Sequence, residues 1–330
     1  MPKTGVDVLF RVCLTAGMTV RIGFLLIPRF SALGFLCAAE PLRVANRLAE
    51  ERLFEWTVFS EDGRPVAASN GMQIAADAPL GPDAALDSLV VVAGFEPLKQ
   101  ISPRLPRLLR RLAARRVEIG ALDTGAFVLA QARLVDQVPV TMHWEVCAAF
   151  AEAFPDLMPS SELFEDHGRI FTSAGGTASI DLMLHRIARL HGPRLARRVA
   201  EQFIHSAIRL PGEPQRRRAL RDAPAGGRIL ARLTAWMESV ADRRVAPGEL
   251  SDLAGRSPRH IERLFRRQYG WGPAAHHRKL RLARARTLLR ETALSIVDIA
   301  DACGFESRSN FSRAYRSEFG IAPARDRVEP

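Results

Sequence analysis

Uninterrupted apolar runs are short throughout this sequence. None approaches the eighteen or so residues a membrane-crossing helix needs, so a helical membrane span is excluded and no membrane partner is expected. Cysteine is scarce and scattered: Cys13, Cys37, Cys147 and Cys303 show no C-x-x-C or other metal-ligand spacing. No metal site or cofactor is therefore expected, and four isolated thiols suit a reducing cytoplasm better than a disulfide framework. A secretion signal is missing too. Residues 1–19 hold one early lysine and a weak apolar run broken by Arg11, and read as a disordered lead, with Met18 as an alternative start.

What is present is enough chain for two cored domains: 330 residues, 47% hydrophobic and 25% charged. The net charge of +11 is unevenly placed. From Arg228 to the end there are 20 basic and 12 acidic residues, against 27 and 24 in the longer remainder. A basic excess gathered in the last third is the electrostatic footprint of a nucleic-acid binder, although a general arginine bias of the chain explains part of it.

That last third contains a repeat. Ser295 to Gly320 reads helix, tight turn, helix, with Ser295 and Asp298 spaced as a capping box and Gly304 at the turn. Ile296, Ile299, Ala300 and Cys303 make one apolar stripe; Phe311, Ala314, Tyr315 and Phe319 make a second. Leu250–Gly255 matches Ile299–Gly304, and Ser257–Phe265 matches Ser307–Tyr315 one residue further on, so the two units differ by one residue in the turn. Gly270 and Gly320 close the second helix of each. The free face of the first such helix carries Arg259, His260, Glu262, Arg263 and Arg266; that of the second carries Arg308, Ser309, Asn310, Ser312, Arg313 and Arg316. Short helices bearing arginine and small hydrogen-bonding residues suit a DNA major groove.

Two such units joined by one long helix, with GFESRSNFSRAYRSEFGIAPARDR at the end, resemble the DNA-binding domain of the AraC/XylS family of transcription regulators. The resemblance implies that positions 259, 262, 263, 309, 310 and 313 reach base edges. It also implies that Pro273 to Glu291 sets the two readers about one DNA turn apart. Each arginine has a plainer reading as a phosphate contact, which is favoured for Arg266 and Arg316. The tail departs from the family pattern, with Ala324–Arg327 reading ARDR where x-x-Y-R is commoner.

The first two thirds alternate strand and helix patterns. Strands are predicted at Val20–Ile27, Glu55–Ser60, Ser88–Ala93, Val117–Leu122, Val138–Met142 and Ile170–Ser173, with a hairpin around Asn70-Gly71. Helices are predicted at Phe35–Ala49, Leu105–Arg116, after Asp123, after Glu145, up to His191, and over Pro193–Ile208. The expected fold is an α/β doubly wound parallel sheet over 20–210, a linker over 211–227 containing Arg216, Arg217 and Arg218, and an all-α domain with two helix-turn-helix motifs over 228–330. In a doubly wound sheet, functional groups collect at the carboxyl ends of the strands, which here carry Phe30, Phe95, Asp123, His143 and Trp144.

EPLRVANRL at Glu40, ASNGMQIAADA at Ala68, GALDTGAFVLA at Gly120, HWE at His143 and TSAGGTASIDLMLH at Thr172 resemble the class I glutamine amidotransferase-like (PfpI-like) domain. Fused to the repeat, it is similar to the GlxA group of regulators, and most similar to regulators of carnitine, glycine betaine and arginine catabolism. This implies a ligand-responsive regulator, an activator at a promoter operator in double-stranded DNA, working as a homodimer with RNA polymerase. Amidotransferase-like enzymes place a nucleophilic cysteine at the sharp turn after a strand; Asp123 stands there, and none of the four cysteines is near it in sequence. The expectation is a sensor without catalysis. Asp123, Thr124 and the aromatics Phe30, Phe95 and Trp144 would hold a cationic small-molecule effector, with Glu40 and His143 nearby. Gly175-Gly176-Thr177, at a helix start, would take its carboxylate. Each aromatic has a plainer reading as core, and the glycine pair as a simple turn. The competing readings are an amidase-like or hydrolytic activity at Asp123/His143 and a purely architectural DNA binder.

Overall fold

The computed structural model describes residues 19–215 and 225–327; the expected lead over 1–18 and the linker arginines 216–218 lie outside them. Seven strands form the main sheet: β1 (Val20–Leu26), β2 (Phe54–Ser60), β3 (Ala78–Pro79), β4 (Ser88–Val92), β5 (Glu118–Leu122), β6 (Phe164–Asp166) and β7 (Ile170–Ser173). Their spatial order is β6-β7-β5-β4-β1-β2-β3, and every pair is parallel except β6 with β7. A parallel sheet is buried on both faces, which is why its strands read as apolar runs rather than alternations. Phe24, Leu26, Val90 and Val92 pack under the helices Ala32–Ala49 and Ala178–His191. Leu25, Leu89, Val91 and Ile119 pack under Leu105–Ala114 and Gly125–Gln131 on the opposite face.

Two predicted elements are shorter than expected. The helix from Pro193 stops at Gln202 rather than Ile208. Beyond it Ile204 turns into the left-handed region at φ 53°, and the chain folds back so that His205 and Arg209 meet the buried Asp181 carboxylate at 2.8 and 2.6 Å. The strand over Val138–Met142 is reduced to Val140–Thr141, which pairs outside the main sheet with Pro159–Ser160. Residues 211–215, expected as linker, remain tied to the α/β unit, because the Gln215 side-chain amide donates to the carbonyls of Met142 and Glu162.

From Ala225 onward the described residues are helical. Pro247–Ala254 and Pro258–Tyr269 form the first helix-turn-helix unit, Ile296–Ala302 and Arg308–Phe319 the second, and Pro273–Glu291 connects them. Ser295 and Asp298 make the reciprocal capping box at 3.1 Å in both directions. Gly304 is required twice over: its φ is 65°, and a Cβ there would stand 2.7 Å from the Arg243 Cα. Leu282, Leu289, Ile299, Phe311 and Tyr315 of this half belong to the same continuous apolar core as Phe127 and Phe150 of the α/β half. The connecting helix packs on the helix Cys147–Ala153, where Arg284 pairs with Glu152 at 2.6 Å.

Candidate functional site

The two reading helices are built alike. Ser257 and Ser307 cap them, their hydroxyls accepting from the N–H of His260 and Asn310. Ile261 and Phe265 anchor the first helix inward, and Phe311 and Tyr315 the second. The inward anchors fix which face is free. Arg259, Arg263 and Arg266 are exposed on one helix; Arg308, Ser309, Asn310, Arg313 and Arg316 on the other; His260, Glu262 and Ser312 are partly covered. Four members are engaged with one another in two pairs: Glu262 accepts from Arg266 at 2.7 Å, and His260 lies 3.2 Å from Arg263. No intrachain ion pair holds Arg259, Arg263, Arg308 or Arg313 among the described residues.

The tail departure at Asp326 has a physical role. Its buried carboxylate accepts from Tyr315 at 2.6 Å, Arg286 at 2.9 Å and Arg290 at 2.8 Å, joining the tail, the second reading helix and the connecting helix. Three donors hold this carboxyl below the ordinary aspartate range despite its burial. Burial, then the Asp326 carboxylate that accepts its hydrogen bond, pushes the Tyr315 hydroxyl upward, against the opposing charges of Arg286 and Arg290.

The second site is a cavity of about 540 Å³ at the carboxyl ends of the strands. Phe95, Asp123, Thr124 and His143 line it from the α/β side; Arg286, Arg290 and Glu291 line it from the connecting helix. Asp123 follows β5 directly in the left-handed region, at φ 58°. Gly175 presses against it: a Cβ there would lie 2.8 Å from the Asp123 Cβ. Thr124 is spent structurally, its hydroxyl donating to the Gly94 carbonyl at 2.5 Å. Burial, then the neighbouring Glu291 and Glu145 charges, raise the Asp123 carboxyl to about 7. Burial likewise raises Glu291 to about 7, with the Glu96 charge adding to it and the Glu96 N–H opposing it. Burial lowers the His143 imidazole, so it is neutral at neutral pH.

Several expected ligand residues sit elsewhere. Phe30 is fully buried and packs edge-on against Phe35, so it is core. Glu40 lies on the surface of the helix Ala32–Ala49, paired with Arg43 at 2.7 Å. Trp144 is 42% exposed, its ring 5.5 Å from that of His143, and is not part of the cavity wall. Gly175, Gly176 and Thr177 are also outside the wall, and the Thr177 hydroxyl is taken by Arg209 at 3.0 Å. The residues that sequence reasoning missed are Arg286, Arg290 and Glu291, which reach the cavity only because the second domain folds over it.

Residues 21–189 match the DJ-1/PfpI family, and residues 250–328 match a helix-turn-helix domain family. The HTH-type transcriptional regulator CdhR of Pseudomonas aeruginosa is 46% identical over 305 residues, spanning 92% of this chain and 90% of its own. The chain belongs to the AraC-family transcription regulators that carry a DJ-1/PfpI domain. The HTH-type transcriptional regulator GlxA of Rhizobium meliloti is 38% identical over 92% of this chain and 94% of its own. A crystal structure of an AraC family transcriptional regulator from Pseudomonas putida covers 56% of the chain and 99% of its own, at 31% identity and a TM-score of 0.52. This AraC-family member is accordingly a DNA-binding transcription regulator. No helix among its described residues is long and apolar enough to cross a membrane.

Proposed function

We propose that this regulator is a cytoplasmic, effector-responsive activator. It binds its operator as a homodimer and engages RNA polymerase when a cationic small metabolite, a betaine, carnitine or basic amino acid, occupies the cavity at Asp123. The observation that carries the effector class is the half-buried Asp123 carboxyl, which lines an open cavity beside Phe95 and has no cation paired to it among the described residues. A ligand ammonium or guanidinium would supply that charge, and Phe95 would add a cation–π contact of about 0.5–2 kcal/mol.

Catalysis is not part of this reading. Asp123 stands where amidotransferase-like enzymes carry their thiol, and the thiol of the half-buried Cys147 is pushed up to about 11 by desolvation. Without thiolate at neutral pH, the covalent chemistry of that fold has no nucleophile. A thermal-shift screen of the full chain with carnitine, glycine betaine, choline and arginine tests the effector. A ligand at a hundred times its Kd should add about 2.7 kcal/mol of stability. A dose-dependent rise in Tm that disappears in Asp123→Ala supports the reading; a response unchanged in that variant sinks it.

On the DNA side, Arg263, Asn310 and Arg313 read base edges, while Arg266 and Arg316 hold phosphates. Arg313→Ala should weaken operator binding by about 1–3 kcal/mol and leave nonspecific binding nearly unchanged. Equal losses on operator and random duplex, measured at one salt concentration, would refute base reading by Arg313.

A further inference from the structure

The cavity at the strand ends has a wall that the α/β domain does not make. Glu291, the last residue of the connecting helix, accepts from the Glu96 N–H at 2.9 Å and so reaches across the domain boundary. Glu96 cannot serve as its counter-charge, being an acid itself and paired with Arg29 at 2.6 Å and Lys99 at 2.5 Å. Asp123, half-buried, and Glu291, buried, thus form an acidic pair in one cavity, and among the described residues neither has a cation at ion-pair distance. The same cavity is also lined by Arg286 and Arg290 from the connecting helix. Both donate to Asp326, and both side chains stay 36% exposed. The cavity wall therefore carries an acidic pair without a cation and, beside it, two partly exposed guanidinium groups.

Resting on the proposed cationic effector, we infer that the effector is a zwitterion that bridges the two domains: its cationic nitrogen sits between Asp123 and Glu291, and its carboxylate pairs with the partly exposed Arg290 guanidinium. The helix that spaces the two reading helices is then part of the ligand site itself. Occupancy acts on that helix without any relay through the protein. Binding of the effector and the pose of the DNA readers are coupled by contact, and by linkage each changes the other's affinity by the same factor. A cation between the two carboxyls would favour their ionised forms, which desolvation opposes. A carboxylate at Arg290, rather than at the start of the helix Ala178–His191, also accounts for Gly176 and Thr177 standing outside the cavity wall.

The test is calorimetric titration of the full-length chain with whichever of glycine betaine, carnitine or arginine binds the wild type. Choline is the matched cation without a carboxylate. Glu291→Gln keeps an oxygen for the Glu96 N–H and removes the charge; it should weaken the zwitterion at least tenfold, as Asp123→Asn does. Arg290→Gln should weaken the zwitterion at least tenfold and leave choline unchanged. Where Arg290→Gln fails to fold, Arg290→Lys keeps the charge toward Asp326 but loses the guanidinium fork, and should weaken the zwitterion while leaving choline unchanged. Wild-type affinity in the Glu291 and Arg290 variants, with loss only in Asp123→Asn, overturns the bridge and leaves the proposed function standing. Failure of all three zwitterions to bind the wild type overturns both.

Discussion

Asp326→Ala should lower the stability of the C-terminal domain by about 3 kcal/mol, seen as an earlier loss of helical signal in urea. The carboxylate is 3% exposed and is the common acceptor of Tyr315, Arg286 and Arg290. Removing it leaves a buried hydroxyl without an acceptor and two guanidinium groups without a counter-charge, which costs more than the lost bonds alone. The arginine side chains are each 36% exposed, so water recovers part of the loss and the value falls at the lower end for a buried pair. Asp326→Asn keeps an acceptor for Tyr315 and should lose roughly half as much. A change below about 1 kcal/mol in Asp326→Ala would show that the tail is an ornament rather than a brace. The ARDR ending that departs from the family pattern is on this account a substitution with its own partners already in place.

The second large effect depends on pH. Asp123 rises from an ordinary value of 3.8 to about 7 on folding, and Glu291 from 4.5 to about 7. Between those limits the folded chain holds more protons than the unfolded one, so ligand-free stability is fully present in acid and falls as pH rises through about 7. The pair titrates as a unit, and the expected loss between pH 5 and pH 8 is at least about 2 kcal/mol. The double variant Asp123→Asn, Glu291→Gln should flatten this decline and melt higher than wild type at pH 8. His143, lowered by burial, contributes with the opposite sign. It is present in both proteins, so their difference isolates the pair. A cationic ligand needs the ionised carboxylates, so its affinity should climb from pH 5 and level off above about 7. A parallel pH dependence of Tm in wild type and double variant would remove the pair from the account.

The repeat, its caps and its free faces were legible in the sequence because helix periodicity and capping residues act locally: Ser257, Ser295, Ser307, Gly304 and Gly320 all do what their positions suggest. The parallel sheet was legible for the same reason, since β1, β4 and β5 are apolar on both faces. The cavity was only half legible. Phe30 and Phe95 both follow strand ends, yet one packs into the sheet–helix core and the other is half exposed at the rim; only the tertiary packing distinguishes them. Arg286, Arg290 and Glu291 were illegible as cavity residues, because nothing near them in the chain signals that a second domain lies opposite. The early end of the helix at Gln202 had no local breaker and was set by Asp181, a distant acceptor.

The connecting helix has 19 residues, or about 28 Å at 1.5 Å each, and Asp326 and Glu152 fasten it near both its middle and its end. A ruler of that kind cannot stretch or swivel to suit its target. With both reading helices in successive major grooves, the operator is expected to present its two recognition boxes on the same face of the duplex, in a helical phase of about 10 bp. Five inserted base pairs would turn the second box to the far side and abolish joint reading with every contacted base intact. A single wrong base would cost one contact. For this regulator, the spacing of an operator is a more stringent part of its address than any letter in it.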